Sequence, residues 1–395
     1  MSKYKVRTYS NISPIGLDRI ESTNCIIDDQ NDDPDGILVR STKIQETLLK
    51  SSLKAISRAG AGVNNIPIDS CSKRGVVVFN TPGANANAVK ELVLGGLLLS
   101  SRNVLSSINF VNGLIHLTNM KELEPFLEEN KKKFKGKELS GSSLGVVGLG
   151  SIGSKVARMG VALDMNVFGY DPALSVEAAW QLPSQVIPVE SLEELFGVSD
   201  FITLHIPAIK STENLIDFKL LSLCTESVLL NFARQEVINV SDVIKALNKG
   251  NLSSFVTDFP TPELIKRANK KKDVFLLPHI GASTSQAEVN CAVMAADQLT
   301  DFLQNGNIRN SVNFPNINVA RSTENRIAIT NKNVPAIIGQ IATSLGDLNI
   351  NIVDMTNVSR GDIAYNLIDV ENEVKNEAVK KLKSIDNVIN ARLIN

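Results

Sequence analysis

The 395 residues predict an α/β protein, built of parallel sheets covered by helices and ending in a smaller α+β unit. Three observations carry this reading. Short, wholly apolar runs alternate with helical patterns, as expected of strands covered on both faces. A glycine-rich turn joins one such run to a helix. The last stretch, about 70 residues, reads strand-helix-strand-strand-helix-strand.

The elements follow in chain order. Tyr4, Val6 and Thr8 alternate with charged residues and predict a first strand. GILVR (36–40), LKAISR (53–58) and VVVFN (76–80) predict further strands, with helical patterns between them. A long helix is expected from about Asn87 to Val104, then a polar, lysine-rich loop over 126–139. LGVVGLG, beginning at Leu144, opens a second region. NVFGYD (166–171), FITLHIP (201–207), SVLLNFA (227–233), SFVTDF (254–259) and VFLLPH (274–279) repeat the strand theme, giving six expected strands in a doubly wound domain. Residues 305–325 hold seven asparagines around Pro315 and predict a linker. RIAIT, PAIIGQIATSLGDL, INIVDMTNV, AYNLIDV, a Lys/Glu helix and VINARLI then spell a ferredoxin-like split βαβ unit.

Composition excludes several classes. With 41 basic and 42 acidic residues, the chain lacks the basic surplus of a protein that grips nucleic acid by its overall charge. Cys25, Cys71, Cys224 and Cys291 are far apart and accompany only three histidines, so neither a disulfide framework nor a metal site is expected. The longest apolar stretch, LVLGGLLL (92–99), is under half of the roughly 20 residues a membrane span needs. The opening MSKYKVRTYS has no apolar export core, and a cytoplasmic location is expected.

Gly148-Leu-Gly150-Ser151-Ile152-Gly153 is a GxGxxG between a strand and a helix whose apolar positions Ile152, Val156, Met159 and Leu163 share one face. Such glycines let the backbone approach a pyrophosphate, and the helix N-terminus offers unpaired N–H groups to it. Asp171 ends the next strand and suits the ribose hydroxyls of NAD, while repelling the 2′-phosphate of NADP. Three more stretches, NFARQ, DFPTPE and PHIGAS, fall at strand ends on the same edge and carry Arg234, Glu263 and His279.

Taken together, these motifs resemble the D-isomer-specific 2-hydroxyacid dehydrogenases, and among them the branch acting on D-3-phosphoglycerate. The resemblance rests on RAGAGVNN, NTPGANANAVKE, GLGSIG with Asp171, LHIPAIKST, NFARQ and PHIGAST, and runs nearly the full length. It implies a Rossmann-type NAD domain (98–283) inserted in a flavodoxin-like substrate domain (1–97 and 284–317). It also implies Arg234, Glu263 and His279 as the catalytic set. Around NAD it implies Gly148, Gly150, Ser151, Ile152, Gly153, Asp171, His205, Pro207, Thr212, Phe232, Ala233, Arg234, Asp258, His279, Gly281 and Ala282. Arg58, Gly60, Ala61, Gly62, Asn80, Thr81, Arg234 and Ser283 are the implied substrate contacts. A homodimer or homotetramer is the implied assembly. One departure stands out: Gln235 follows the arginine where the family has glycine.

The chemistry follows from the residue types. Oxidising a secondary alcohol needs a base for the hydroxyl proton, and histidine titrates near working pH. A hydrogen-bonded Glu263 would fix the His279 tautomer, and Arg234 would clamp the substrate carboxylate. Arg58 and the glycine turn at 60–62 suit a phosphate or carboxylate, while the lysine run at 131–137 reads as a solvated segment.

Residues 318–395 resemble an ACT domain, which implies L-serine as effector at Asn331, Asn333 and Asn351. Here Ala336 stands where the family has glycine. The expected activity is therefore NAD-dependent oxidation of D-3-phosphoglycerate, with L-serine inhibition. A reductase of 2-oxoglutarate or hydroxypyruvate, and a non-catalytic NAD-sensing regulator, are the alternatives.

Overall fold

The computed structural model describes residues 3–371 and 373–394. The chain divides into two compact units, Met1–Asn85 with Thr284–Asn395, and Ala86–Ser283.

In the first unit, β1 (Tyr4–Tyr9), β2 (Cys25–Ile27), β3 (Gly36–Val39), β4 (Ala55–Arg58) and β5 (Val77–Phe79) form a parallel sheet ordered β2-β1-β3-β4-β5. Strands β3 and β5 are buried at every residue, which is why they read as unbroken apolar runs. The helix Ser285–Asn305 returns the chain to this sheet. It starts where the Thr284 hydroxyl accepts the Ala287 N–H at 3.1 Å, and stops at Gly306, whose φ of 77° few other residues adopt cheaply. Ala295, Leu299, Phe302 and Leu303 pack against Val6, Leu38, Ala55 and Phe79 in one core.

The second unit holds β6 (Ser143–Val147), β7 (Asn166–Tyr170), β8 (Ile187–Pro188), β9 (Phe201–Leu204), β10 (Ser227–Asn231), β11 (Leu252–Thr257) and β12 (Val274–Leu276). All pair in parallel, in the order β12-β11-β10-β9-β6-β7-β8. This is the doubly wound topology, with its switch point between β6 and β9. The sheet has seven strands rather than the expected six. The addition, β8, is a two-residue edge strand containing Pro188 and leaves no apolar run to detect.

Two other differences have local causes. The helix Ala86–Ser101 packs along its length on the second unit's helix Gly153–Ala162 and on β10 and β11, so the units divide at 85/86 rather than at 97/98. The lysine-rich loop is partly helical: Asn119 caps a helix Met120–Asn130, and only a short 3₁₀ turn, Lys131–Phe134, carries the first lysines.

The end of the chain forms β13 (Asn325–Lys332), β14 (Ile352–Arg360), β15 (Ile363–Val370) and β16 (Val388–Ile394), antiparallel in the order β14-β15-β13-β16. The helices Ile337–Gly346 and Asn376–Lys383 cover one face, onto which Ile327 and Ile329 project. Alternate residues point the other way, so Ala328, Tyr365, Leu367 and Ile394 join the first unit's core beside Phe302, Ile308 and Phe314. The expected linker is consequently not free chain. Ile308 bridges Ile317, Ser311 bridges Phe79, and Phe314 is fully buried. Its asparagines hold main chain, with Asn313 Oδ1 accepting the Val78 N–H at 2.8 Å. Among the described residues, no helix is long and apolar enough to cross a membrane.

Candidate functional site

At the C-terminal end of β6, Gly148 adopts a φ of 89°, and a Cβ there would meet the His205 carbonyl at 2.7 Å. A Cβ on Gly153 would lie 1.8 Å from the Gly148 oxygen, while one on Gly150 would meet nothing within 4 Å. The turn is therefore tight on its protein side and open at Gly150, in front of the helix that begins at Gly153. This is the form of a pyrophosphate cradle. Asp171 closes it from β7: one carboxylate oxygen accepts the Leu149 N–H at 2.8 Å and the other the Ala173 N–H at 2.9 Å. A carboxylate has about four acceptor positions, so capacity remains for ribose hydroxyls.

His205 follows β9 at the switch point. Its Nε2 lies 2.9 Å from the Thr203 hydroxyl, while Nδ1 is buried without a partner among the described residues. Burial holds the ring neutral by lowering its pKa to about 3. An orphaned ring nitrogen beside an open glycine turn fits a bound dinucleotide, and NAD, when bound there, accepts a hydride.

The ends of β10 and β11 are locked together by two residues that sequence reasoning missed. Asn231 is fully buried. Its Oδ1 accepts the Ala233 N–H at 3.0 Å and its Nδ2 donates to the Arg234 carbonyl at 2.9 Å, which shapes the turn presenting Arg234. Thr257, equally buried, donates to the Asn231 carbonyl at 3.1 Å. A polar residue at the buried end of an apolar strand run was the available signal. Asp258, 2% exposed, takes the Ile280 N–H at 2.8 Å on one oxygen and the Gly281 N–H at 2.7 Å on the other. Its carbonyl also accepts the His279 N–H at 3.1 Å. These bonds hold His279 in a left-handed conformation (φ 57°), which only a few per cent of non-glycine residues adopt.

Glu263 and His279 both lie exposed at this edge, but no hydrogen bond joins them, contrary to expectation. Each has a nearer partner. Hydrogen bonds from its own backbone N–H and from Thr261 set the Glu263 carboxyl below the ordinary carboxylate range. The His279 ring meets Phe259 edge-on, with centroids 5.1 Å apart.

The remaining expected residues fall into groups. Thr212 accepts the Ile209 N–H at 2.9 Å and donates to the Pro207 carbonyl at 2.6 Å, closing the loop after β9. Ser151, Ala282 and Ser283 are exposed, and Ile152 is half-buried. Phe232 and Ala233 are buried, Phe232 within the core beneath Gly96, so that only their backbone is offered to a ligand. In the first unit, Arg58 does not project as expected. Its Nε donates to the Arg40 carbonyl at 3.0 Å, and Nη1 donates to Gly62. Asn80 donates to the Ala61 carbonyl at 2.6 Å and the Thr81 N–H to that of Gly60 at 3.1 Å, tying the 60–62 turn to β5.

The three expected effector residues do not converge within one chain. Asn331 is fully buried, its amide used between Asn366 and the Lys332 carbonyl, both at 2.7 Å. Asn333 lies beyond the Lys332–Ile363 end of the sheet, and Asn351, bonded to Glu371, beyond the Ile352–Val370 end.

Residues 109–281 match the family described as D-isomer specific 2-hydroxyacid dehydrogenase, NAD binding domain. Among curated relatives, the chain is 34% identical over 289 residues to D-3-phosphoglycerate dehydrogenase of Synechocystis sp., covering 72% of this chain and 49% of that one. It is 32% identical over 292 residues to the enzyme of that name from Methanocaldococcus jannaschii, covering 72% and 53%. The chain spans about half the length of the curated relatives it matches. Among solved structures, it is similar to the NAD+-bound 3-phosphoglycerate dehydrogenase of Entamoeba histolytica, with 27% identity, 79% and 99% of the two chains covered and a TM-score of 0.61. The D-mandelate dehydrogenase of Rhodotorula graminis shares the fold at 24% identity, with 81% and 100% covered and a TM-score of 0.67.

Proposed function

We propose that the chain oxidises D-3-phosphoglycerate to 3-phosphohydroxypyruvate with NAD, as the opening step of the phosphorylated route to L-serine in the cytoplasm. The observation that carries this reading is the fixed edge at β10–β12, where Arg234 follows β10 and His279 follows β12, on either side of β11 and at the same strand ends as the open glycine turn after β6. His279 takes the substrate hydroxyl proton as the carbinol carbon loses its hydride, and Arg234 pairs with the carboxylate. Glu263, ionised at neutral pH, reaches the ring by side-chain rotation at the exposed edge. In the first unit, the turn at 60–62 with Asn80 holds the acid. The names of the relatives supply the substrate.

Steady-state rates with 3-phosphoglycerate, D-glycerate and D-2-hydroxyglutarate, each with NAD and NADP, test the reading. Preference for the phosphorylated acid and for NAD supports it. Preference for an unphosphorylated acid favours a second reading, a 2-oxo acid reductase, for which Arg58 gives a specific reason: its Nε and Nη1 donate to main-chain carbonyls. No turnover with any acid, together with tight NADH binding, favours the NAD-sensing regulator.

Two further proposals complete the picture. The helix Val104–Asn112 exposes Leu105, Ile108 and Val111, an apolar stripe that suits a homodimer contact. L-serine inhibition requires two copies, because Asn333 and Asn351 lie at opposite sheet ends. Twofold pairing along the edge strand β14 would bring one chain's Asn351 to the other's Asn333. Calorimetry with millimolar L-serine on the wild type and on Asn333→Ala and Asn351→Ala tests this, and absence of heat in the wild type excludes it.

A further inference from the structure

We propose that Arg360, in the C-terminal antiparallel sheet, is a positioning residue for the substrate loop of the first unit. It acts through the segment 310–314. The inference rests on the reading that Asn80 and the turn at 60–62 hold the acid.

Arg360 ends β14, just before a two-residue turn in which Gly361 has a φ of 58°. Its Nη1 leaves the turn and donates to the Ser311 carbonyl at 2.9 Å, with the Phe314 carbonyl at 3.4 Å. A charged donor on main-chain carbonyls is a stronger tether than a neutral one. The tethered segment then grips the end of β5. The Ser311 hydroxyl donates to the Val78 carbonyl at 3.1 Å, as does the Val312 N–H at 2.9 Å. The Asn80 N–H donates to the Asn310 carbonyl at 3.3 Å, and Gln298 links the two residues, donating to the Asn80 carbonyl at 3.0 Å and accepting from the Asn310 amide at 2.7 Å. Asn80 in turn holds the Ala61 carbonyl at 2.6 Å.

Every link from Arg360 to the 60–62 turn is thus a hydrogen bond to backbone or between buried or half-buried amides. Such a contiguous chain is the kind of physical network through which coupling is carried. The opposite side of the same β14–β15 turn accepts from Asn333, at the Gly361 carbonyl (3.2 Å) and at the Asp362 carbonyl (2.9 Å). The turn therefore joins the C-terminal sheet to the substrate loop through one arginine.

Two measurements on the full chain test this, with Arg360→Ala, Arg360→Lys and Asn80→Ala. Hydrogen exchange needs no activity. Arg360→Ala is expected to speed exchange of the Asn80 and Thr81 amides about tenfold, while amides of β6 and β9 keep their protection. Unchanged exchange at Asn80 and Thr81 overturns the proposal. In steady-state assays with 3-phosphoglycerate, Arg360→Ala is expected to raise KM about tenfold with kcat and the NADH dissociation constant unchanged, and Arg360→Lys to recover most of it. A parallel loss of kcat and NADH affinity marks general unfolding and overturns the positioning role. If Asn80→Ala leaves KM unchanged, the substrate-loop reading itself is wrong, a result that an unchanged Arg360→Ala alone does not give.

Discussion

Replacing Asp369 by leucine is expected to be among the costliest single changes in the C-terminal sheet. Arg326 and Asp369 face each other across β13 and β15 with 1% and 2% of their side chains exposed. Two bonds join them, Nε to Oδ1 at 2.6 Å and Nη2 to Oδ2 at 2.8 Å. Burial alone would raise the Asp369 carboxyl. The bonds from Arg326 and the Ser322 N–H, with the charges of Arg326 and Arg321, more than offset it and hold the group below its ordinary 3.8. Removing one partner leaves a buried guanidinium uncompensated, at a cost of about 3–5 kcal/mol.

The double variant Arg326→Met/Asp369→Leu separates this site from a simple ion pair. An isolated buried pair replaced by apolar residues is often neutral or stabilising. Here the guanidinium also donates to the carbonyls of Asn305 and Val319 at 3.0 Å and of Ala320 at 2.9 Å, and Asp369 accepts the Ser322 N–H at 2.7 Å. The double variant orphans those four main-chain groups, each at about 1–3 kcal/mol if left unpaired, so it should stay at least about 3 kcal/mol below the wild type. Urea unfolding, followed by hydrogen exchange of the β13 and β15 amides, measures both variants. A double variant as stable as the wild type would refute the argument that Arg326 serves the 305–320 segment as well as Asp369. Acid gives an independent check. Because the folded-state value is depressed, the Asp369 contribution is complete above its ordinary 3.8 and is lost as pH falls through the folded value.

Three other predictions follow from single features. His205 is neutral when folded down to about pH 3, whereas an unfolded histidine protonates near 6.5. Its contribution is intact above pH 6.5 and lost below, by about 2 kcal/mol at pH 5. Urea unfolding of the second unit at pH 7.5 and 5.0 should show this extra loss in the wild type and not in His205→Asn. Asp258→Ala should lower kcat by about 100-fold by freeing the main chain of His279; a kcat near the wild-type value in a folded variant would exclude the clamp. Ala336 carries a φ of 67° at the start of the helix Ile337–Gly346, so Ala336→Gly should stabilise the chain by up to about 1 kcal/mol, read as a rise in unfolding midpoint.

The glycine turn was legible because all its requirements are local. Strand, Gly148, Gly150, Gly153 and helix are contiguous; Gly148 and Gly153 answer steric needs at the adjoining main chain, and Gly150 leaves the turn open. The buried strands were legible for a related reason, since a parallel strand covered on both faces leaves an unbroken apolar run. Strand β8 left none, because an edge strand of two residues buries almost nothing. The asparagine-rich segment 305–325 was misread because asparagine signals free loop in a sequence, yet satisfies buried main chain in a fold. Only the partner, the Val78 N–H for Asn313 or the Val319 N–H for Asn307, tells the two apart.

The sequence by itself therefore determined the α/β class and the polar residues that follow the buried strands, because periodicity and local turn chemistry are properties of neighbours along the chain. Tertiary structure decided which of those residues are presented and which are consumed. It closed Asn331 inside a sheet, turned Arg58 onto its own loop, separated Asn333 from Asn351, and set Asp258 as the clamp on His279. Each of these depends on which donors and acceptors distant segments bring to a buried group, and no local pattern records that.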